Sequence, residues 1–161
     1  MLLGFLSVSQ ITKSALVAYV HYLGIILCFG SLLFERLTLK VNLTRNETIS
    51  MIIADVIYGM AGVAILITGI LRVKYFGQGG EFYTSNPIFW IKVILYIIVG
   101  LLSLYPTVTY ILWAIPLSKN QVPEISEKLV KRFRLIINTE LLGFATIPFF
   151  ATLMARGIGL G

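Results

Sequence analysis

Apolar residues fill this chain in four long blocks, residues 15–34, 51–71, 88–117 and 135–155, with short polar stretches between them. Each block meets the requirement of about 20 residues for crossing a bilayer, and lipid demands backbone groups that are satisfied within the segment, so each is expected to be helical. The pattern predicts helices over about 14–40, 49–76, 87–117 and 124–157, joined by short loops. It implies an all-α fold: an integral membrane, antiparallel four-helix bundle in one domain spanning 1–161. Residues 1–10 are apolar but carry no basic residue, unlike the charged start of a secretory signal, and read as an interfacial lead-in.

Within each block the polar and small residues are not scattered. In the first helix His21, Gly24, Cys28, Ser31 and Glu35 recur at alternating spacings of three and four, which places them on one face. In the second, Tyr58, Gly62, Ile65, Gly69 and Arg72 form such a stripe, with Asp55 and Gly59 beside it. In the third, Lys92, Tyr96, Val99, Ser103, Pro106 and Tyr110 do the same. Small residues allow close helix approach in lipid and polar groups face the bundle interior, so these stripes predict the packing faces. Asn86 and Pro87 suit the cap and first position of the third helix. Pro106 is expected to kink that helix, with Ser103 satisfying a freed carbonyl.

The composition agrees with a membrane protein: 58% hydrophobic and 12% charged residues, with a mean hydropathy of +0.92. The formal charge of +6 then records topology and attraction to anionic headgroups, so the lipid bilayer is the expected partner and nucleic acid is not. The short loops near residues 42–47 and 118–127 and their flanks carry Arg36, Lys40, Arg45, Lys119, Lys128, Lys131, Arg132 and Arg134. The opposite side carries Lys13, Arg72, Lys74, Lys92 and Arg156. The asymmetry predicts those loops inside and both termini outside. The basic stretch 124–134 reads as an interfacial ramp against anionic lipid, with a partner-docking surface as the other reading.

Depth divides the ionisable residues into two groups. Asp55 and Glu140, with Arg36 and Arg134, fall toward the inner side and are expected to pair as a structural charge cluster; Glu35 lies at the same side. His21, Arg72 and Lys92 fall toward the outer side, where the only acid nearby is Glu81 in the turn. That cluster suits an anionic group such as a propionate, a lipid phosphate or a quinone oxygen. Two bland readings stay open beside it: His21 as a hydrogen-bonded core residue, and Lys92 snorkelling to the headgroups beside Phe89 and Trp90. One histidine and one cysteine cannot build a zinc site, and the glycines at 77, 79 and 80 follow no strand, so they form no phosphate loop.

The run from Gly69 to Gly77, the pattern Phe82-Tyr83-x-x-Asn86-Pro87-x-Phe89-Trp90-x-Lys92 and the closing Met154-Ala155-Arg156-Gly157 resemble a family of small four-helix membrane proteins from cyanobacteria and other bacteria, uncharacterised in function. More distantly, the arrangement is similar to the HemJ-type protoporphyrinogen IX oxidases, which bind heme b through a histidine in the first helix and a basic residue in a later Trp-x-Lys-like segment. That resemblance implies cofactor-binding roles for His21, Trp90 and Lys92, with His21 on the heme iron; the outer cluster adds Arg72 beside Lys92 for the propionates, and with no second histidine the iron is five-coordinate or takes Lys92, Met60, a tyrosine or water as its sixth ligand. The arginine those oxidases carry shortly after their histidine has no clear counterpart, since Arg36 comes fifteen positions after His21. Two functions follow as expectations. One is a heme- or tetrapyrrole-binding redox protein, an oxidoreductase if it is an enzyme. The other is a non-enzymatic subunit or assembly factor of a larger photosynthetic or respiratory complex. The location expected is the plasma or thylakoid membrane.

Overall fold

The computed structural model describes the backbone of residues 2–159 and the side chains of residues 8–159. Four long helices carry the fold: α1 (Leu2–Thr38), α2 (Arg45–Leu71), α4 (Pro87–Ser118) and α5 (Glu127–Ala155), with a short α3 (Gly80–Thr84) in the turn before α4. Four segments within them, Val8–Thr38, Arg45–Phe76, Pro87–Ser118 and Glu127–Ala155, are long and apolar enough to cross a membrane. The chain is an all-α membrane bundle.

The helix ends show where side chains override hydropathy. α2 begins four residues before the expected position because Thr44 and Glu47 form a reciprocal capping box. Asn86 caps α4 as expected, accepting from the Ile88 amide at 2.9 Å, with Pro87 at the first helical position. Ser126 caps α5 and so starts it later than expected. Residues 2–13 extend α1 and do not form a separate lead-in; the side chains of residues 1–7 lie outside the described residues. After α2 the backbone continues as a π-helical segment, Arg72–Phe76, and Gly79, at φ +94°, supplies the left-handed turn that a side chain would strain.

α1 packs on α2 and α5, and α4 packs on α5 and α2, so the helices form a ring with α1 opposite α4 and α2 opposite α5. The hairpins α1–α2 and α4–α5 are the closest pairs. The glycine stripes explain this. A Cβ on Gly24 would stand 2.8 Å from Ile65 Cγ1 and 3.2 Å from the Ala61 carbonyl, and one on Gly143 would stand 2.5 Å from Val99 Cγ2. Large apolar side chains such as Ile26, Leu37, Met60 and Ile111 face outward, as lipid allows. One end of the bundle holds the loops at 39–44 and 119–126. The other holds both termini and the α2–α4 turn, where the Asn86 amide donates to the Ile158 carbonyl at 3.1 Å. These are the loop end and the terminal end.

α4 runs unbroken through Pro106. The Ser103 hydroxyl donates to the Gly100 carbonyl at 2.8 Å, not to the Leu102 carbonyl that a proline at 106 leaves free, because it reaches back one tight turn along its own helix.

Candidate functional site

Two polar groupings lie inside the ring. At the terminal end, His21 on α1 meets α2: its Nδ1 lies 2.9 Å from the Thr68 hydroxyl oxygen. That hydroxyl has one hydrogen, directed to the Ala64 carbonyl at 2.5 Å in the i to i−4 back-bond of a helical threonine. With that hydrogen directed to a carbonyl of its own helix, Ala64 or Ile65, the matching imidazole form donates Nδ1–H to Thr68 and carries the lone pair on Nε2; a hydroxyl hydrogen turned toward Nδ1 gives the other tautomer. The imidazole packs beside the next residue, Gly69, where an added Cβ would stand 3.6 Å from His21 Cε1, an ordinary van der Waals distance.

Arg72 is in the same neighbourhood. Its guanidinium sits over the Tyr22 ring, 5.2 Å from the centroid, and that ring meets His21 edge to face at 6.2 Å. Lys92 on α4 is near enough to His21 and Arg72 for their charges to interact. Its ammonium runs back toward the start of α4 and rests over Phe89 at 5.8 Å, the direction a snorkelling lysine takes. Trp90 is not brought to this group. It stands about 200° around the helix from Lys92, is 48% exposed, and its indole N–H donates to the Thr84 carbonyl at 3.0 Å. Met60 faces outward and is no axial partner for His21.

The donors suit a ring cofactor with anionic side chains: a neutral imidazole with a free Nε2 and two cations nearby. The glycine stripe serves close packing and opens no space for such a ring. The width left by Gly24 is taken up by Ile65 and the Ala61 carbonyl, so no room opens along the α1–α2 seam. Side chains are less buried in the terminal half of the bundle. No described side chain of α1 before Gly24 is buried, nor is any of α4 from Pro87 to Ile98.

The second grouping lies deeper and toward the loop end. Glu35, Asp55 and Glu140 are 2%, 7% and 1% exposed. Tyr110 donates to Glu35 Oε2 at 3.0 Å, and Thr107 donates to Asp55 Oδ1 at 2.7 Å. Thr107 and Tyr110 are one turn apart on one face of α4, so Glu35 and Asp55 stand as successive steps against it. Glu140 is one turn from Phe144 and Asp55 one turn from Tyr58. The Tyr58–Phe144 contact, at 6.0 Å, therefore brings Asp55 and Glu140 to one level of the parallel helices α2 and α5.

The expected pairing of Asp55 and Glu140 with Arg36 and Arg134 does not form. Arg36 Nε donates to the Asn138 amide oxygen at 2.8 Å, and Arg134 donates to the Leu39 carbonyl at 3.3 Å. Among the described residues the ion pair is Lys40–Glu47, at 2.6 Å outside the core. The reason is helical phase. Arg36 is rotated about 100° from Glu35, and Arg134 about 240° from Glu140 and one and a half turns nearer the loop end, so both guanidiniums leave the interior face.

Depth and stripe had marked both groupings. The isolation of the carboxylates, and the roles of Thr68, Thr107 and Tyr110, were not visible, since a hydroxyl residue in a helix gives no sign of which partner it meets across the bundle.

The family described as Predicted membrane protein (DUF2214) matches residues 13–159. No curated protein and no solved structure matches the chain.

Proposed function

We propose that this chain, which belongs to that family of predicted membrane proteins, binds a tetrapyrrole of the heme b type at the terminal end of its bundle. The observation that carries the reading is the 2.9 Å contact between His21 Nδ1 and the Thr68 hydroxyl: with the Thr68 hydrogen held by a carbonyl of its own helix, Thr68 accepts the Nδ1 proton and Nε2 presents its lone pair. Ligating histidines in metal sites are held in this way by an acceptor on their other nitrogen. Arg72 and Lys92 supply positive charge for propionates, and the partly buried side chains of the terminal half leave His21 open to a ligand entering from the lipid side. Bound there, heme would contribute one-electron redox chemistry, with its potential set by the axial ligand and the polarity around it. The protein's own part is to hold the imidazole, to keep the two cations near the membrane surface and to exclude water. In this reading the loops at 39–44 and 119–126 face the cytoplasm, and the His21 group lies toward the outside of a plasma or thylakoid membrane.

Protein produced with ample heme is expected to purify with a Soret band that responds to dithionite. His21→Ala should abolish it while the protein remains inserted. Thr68→Val, which removes the acceptor, should lower heme retention about 10-fold or more, as loss of such outer partners does. Colourless wild-type protein, or colour unchanged in His21→Ala, overturns the reading.

A separate observation favours the second function, an integral subunit or assembly factor. A groove of about 180 Å³ lies between α2 and α4, lined by Tyr58, Gly62, Tyr96 and Ser103 among others. It is bordered by Gly59 and Gly100, where an added Cβ would meet nothing. Open glycines beside a groove are what an incoming transmembrane helix packs against. Co-purification of a stoichiometric membrane partner, lost in Gly59→Leu, supports this reading, and a monodisperse single chain extracted in mild detergent counts against it.

A further inference from the structure

The deep carboxylates call for an explanation of their own. Glu35 Oε1 and Glu140 Oε1 are buried and have no hydrogen-bond partner, while Glu35 Oε2 and Asp55 Oδ1 each accept from an α4 hydroxyl. The groups facing this interior come from all four long helices: Cys28 and Glu35 from α1, Asp55 and Tyr58 from α2, Thr107 and Tyr110 from α4, and Glu140 from α5. None is a cation. Of the basic residues at the loop end, Arg36 bonds to Asn138, Arg134 to the Leu39 carbonyl, Arg132 to the Tyr105 hydroxyl and Lys40 to Glu47, while Arg45, Lys119, Lys128 and Lys131 are exposed. His21 and Lys92 belong to the terminal end.

We propose that Glu35, Asp55 and Glu140 form a proton-binding site inside the membrane. The three carboxyls are close enough for their charges to act on one another. In a low-dielectric interior without a counterion, three neighbouring carboxylates cannot all stay ionised, and the deficit is met by taking up protons. The unpartnered oxygens of Glu35 and Glu140 are the atoms that would carry them. A neutral carboxylic acid leaves no buried charge to balance, whereas an unpaired carboxylate would. The carboxyls are stepped along α4, and among the described residues no three His, Cys, Asp or Glu side chains converge as metal ligands.

The stepping has a consequence for access. Glu35 lies one turn nearer the loop end than Asp55 and Glu140, so the carboxyls form a short ladder from that end toward the bundle centre, with the Tyr110 and Thr107 hydroxyls along one side. Glu35, three residues from the end of α1, is the carboxyl nearest that surface, so the loop end is the shorter distance for a proton to travel. This proposal does not depend on heme: it concerns other residues, and colourless protein leaves it standing.

The test is residue-resolved labelling of the full chain in lipid nanodiscs with dicyclohexylcarbodiimide, an apolar reagent that attacks protonated carboxylic acids, read by mass spectrometry. At neutral pH, Glu35, Glu140 or Asp55 should be labelled while the solvated Glu124 and Glu127 are not, and labelling should fall about 10-fold per pH unit once the site loses its protons. The infrared spectrum should show the carbonyl stretch of a buried protonated acid, shifted in heavy water and lost in part in Glu140→Gln. The wild-type spectrum and labelling pattern decide the matter even where that variant does not fold. Absence of label on all three residues together with purely carboxylate infrared bands overturns the proposal. So does labelling abolished by sodium at constant pH, which would make this a cation site.

Discussion

Changing Tyr110 to Phe removes one oxygen atom from a fully packed position and leaves the ring in place against Trp113 and Phe133, at 5.1 and 5.6 Å. The packing term is therefore small, and the loss is that of the 3.0 Å hydrogen bond to Glu35 Oε2. Glu35 Oε1 is already without a partner, so the variant leaves the whole buried carboxyl without a protein hydrogen-bond partner. A buried polar group deprived of its partner costs about 1–3 kcal/mol, toward the lower end when the group is a neutral acid and toward the upper end when it is charged. A value near 1 kcal/mol fits the protonated state proposed above. Glu35→Leu alone orphans the tyrosine hydroxyl and should cost a similar amount. Removing both partners leaves two apolar groups in contact, so the double variant should lose less than the sum of the singles by about 1 kcal/mol. The assay is reversible unfolding of purified protein in mixed micelles as the fraction of denaturing detergent is raised. A double variant whose loss equals the sum of the singles to within about 0.5 kcal/mol would refute the coupling of Tyr110 to Glu35.

Two further predictions concern the packing and orientation of the bundle. Gly143→Ala drives a methyl into Val99 Cγ2 and should cost about 1–3 kcal/mol in the same unfolding assay, a loss that Val99→Ala partly restores by removing the obstructing methyls; no loss, or no rescue, would show that α4 and α5 are not in this contact. Single cysteines placed in a Cys28→Ser background should react with an impermeant maleimide from outside at residues 78 and 159 and not at residue 42 or 121, following the basic-residue asymmetry; outside labelling at residue 42 reverses the orientation.

The membrane class, the four spans and the inward polar stripes were legible in the chain because lipid imposes two simple demands, enough apolar length and an internally satisfied backbone. His21, Arg72 and Lys92 could be assigned to one end by counting rise per residue, since a transmembrane helix converts position into depth. Asn86 and Pro87 marked the start of α4 for an equally local reason: capping involves residues within one turn. What counting could not supply was azimuth across helices. It brought Arg36 and Arg134 to the depth of the acidic residues but could not tell that their guanidiniums turn off the interior face, so the expected ion pairs gave way to bonds with Asn138 and the Leu39 carbonyl. Nor could it show that Ile65 packs against Gly24, or that Thr68 meets the His21 imidazole at Nδ1, because both depend on the register of α1 against α2. Depth is a one-dimensional property carried by each helix alone, whereas a buried carboxyl left without a cation is a property of four helices packed together, and only their tertiary arrangement decides it.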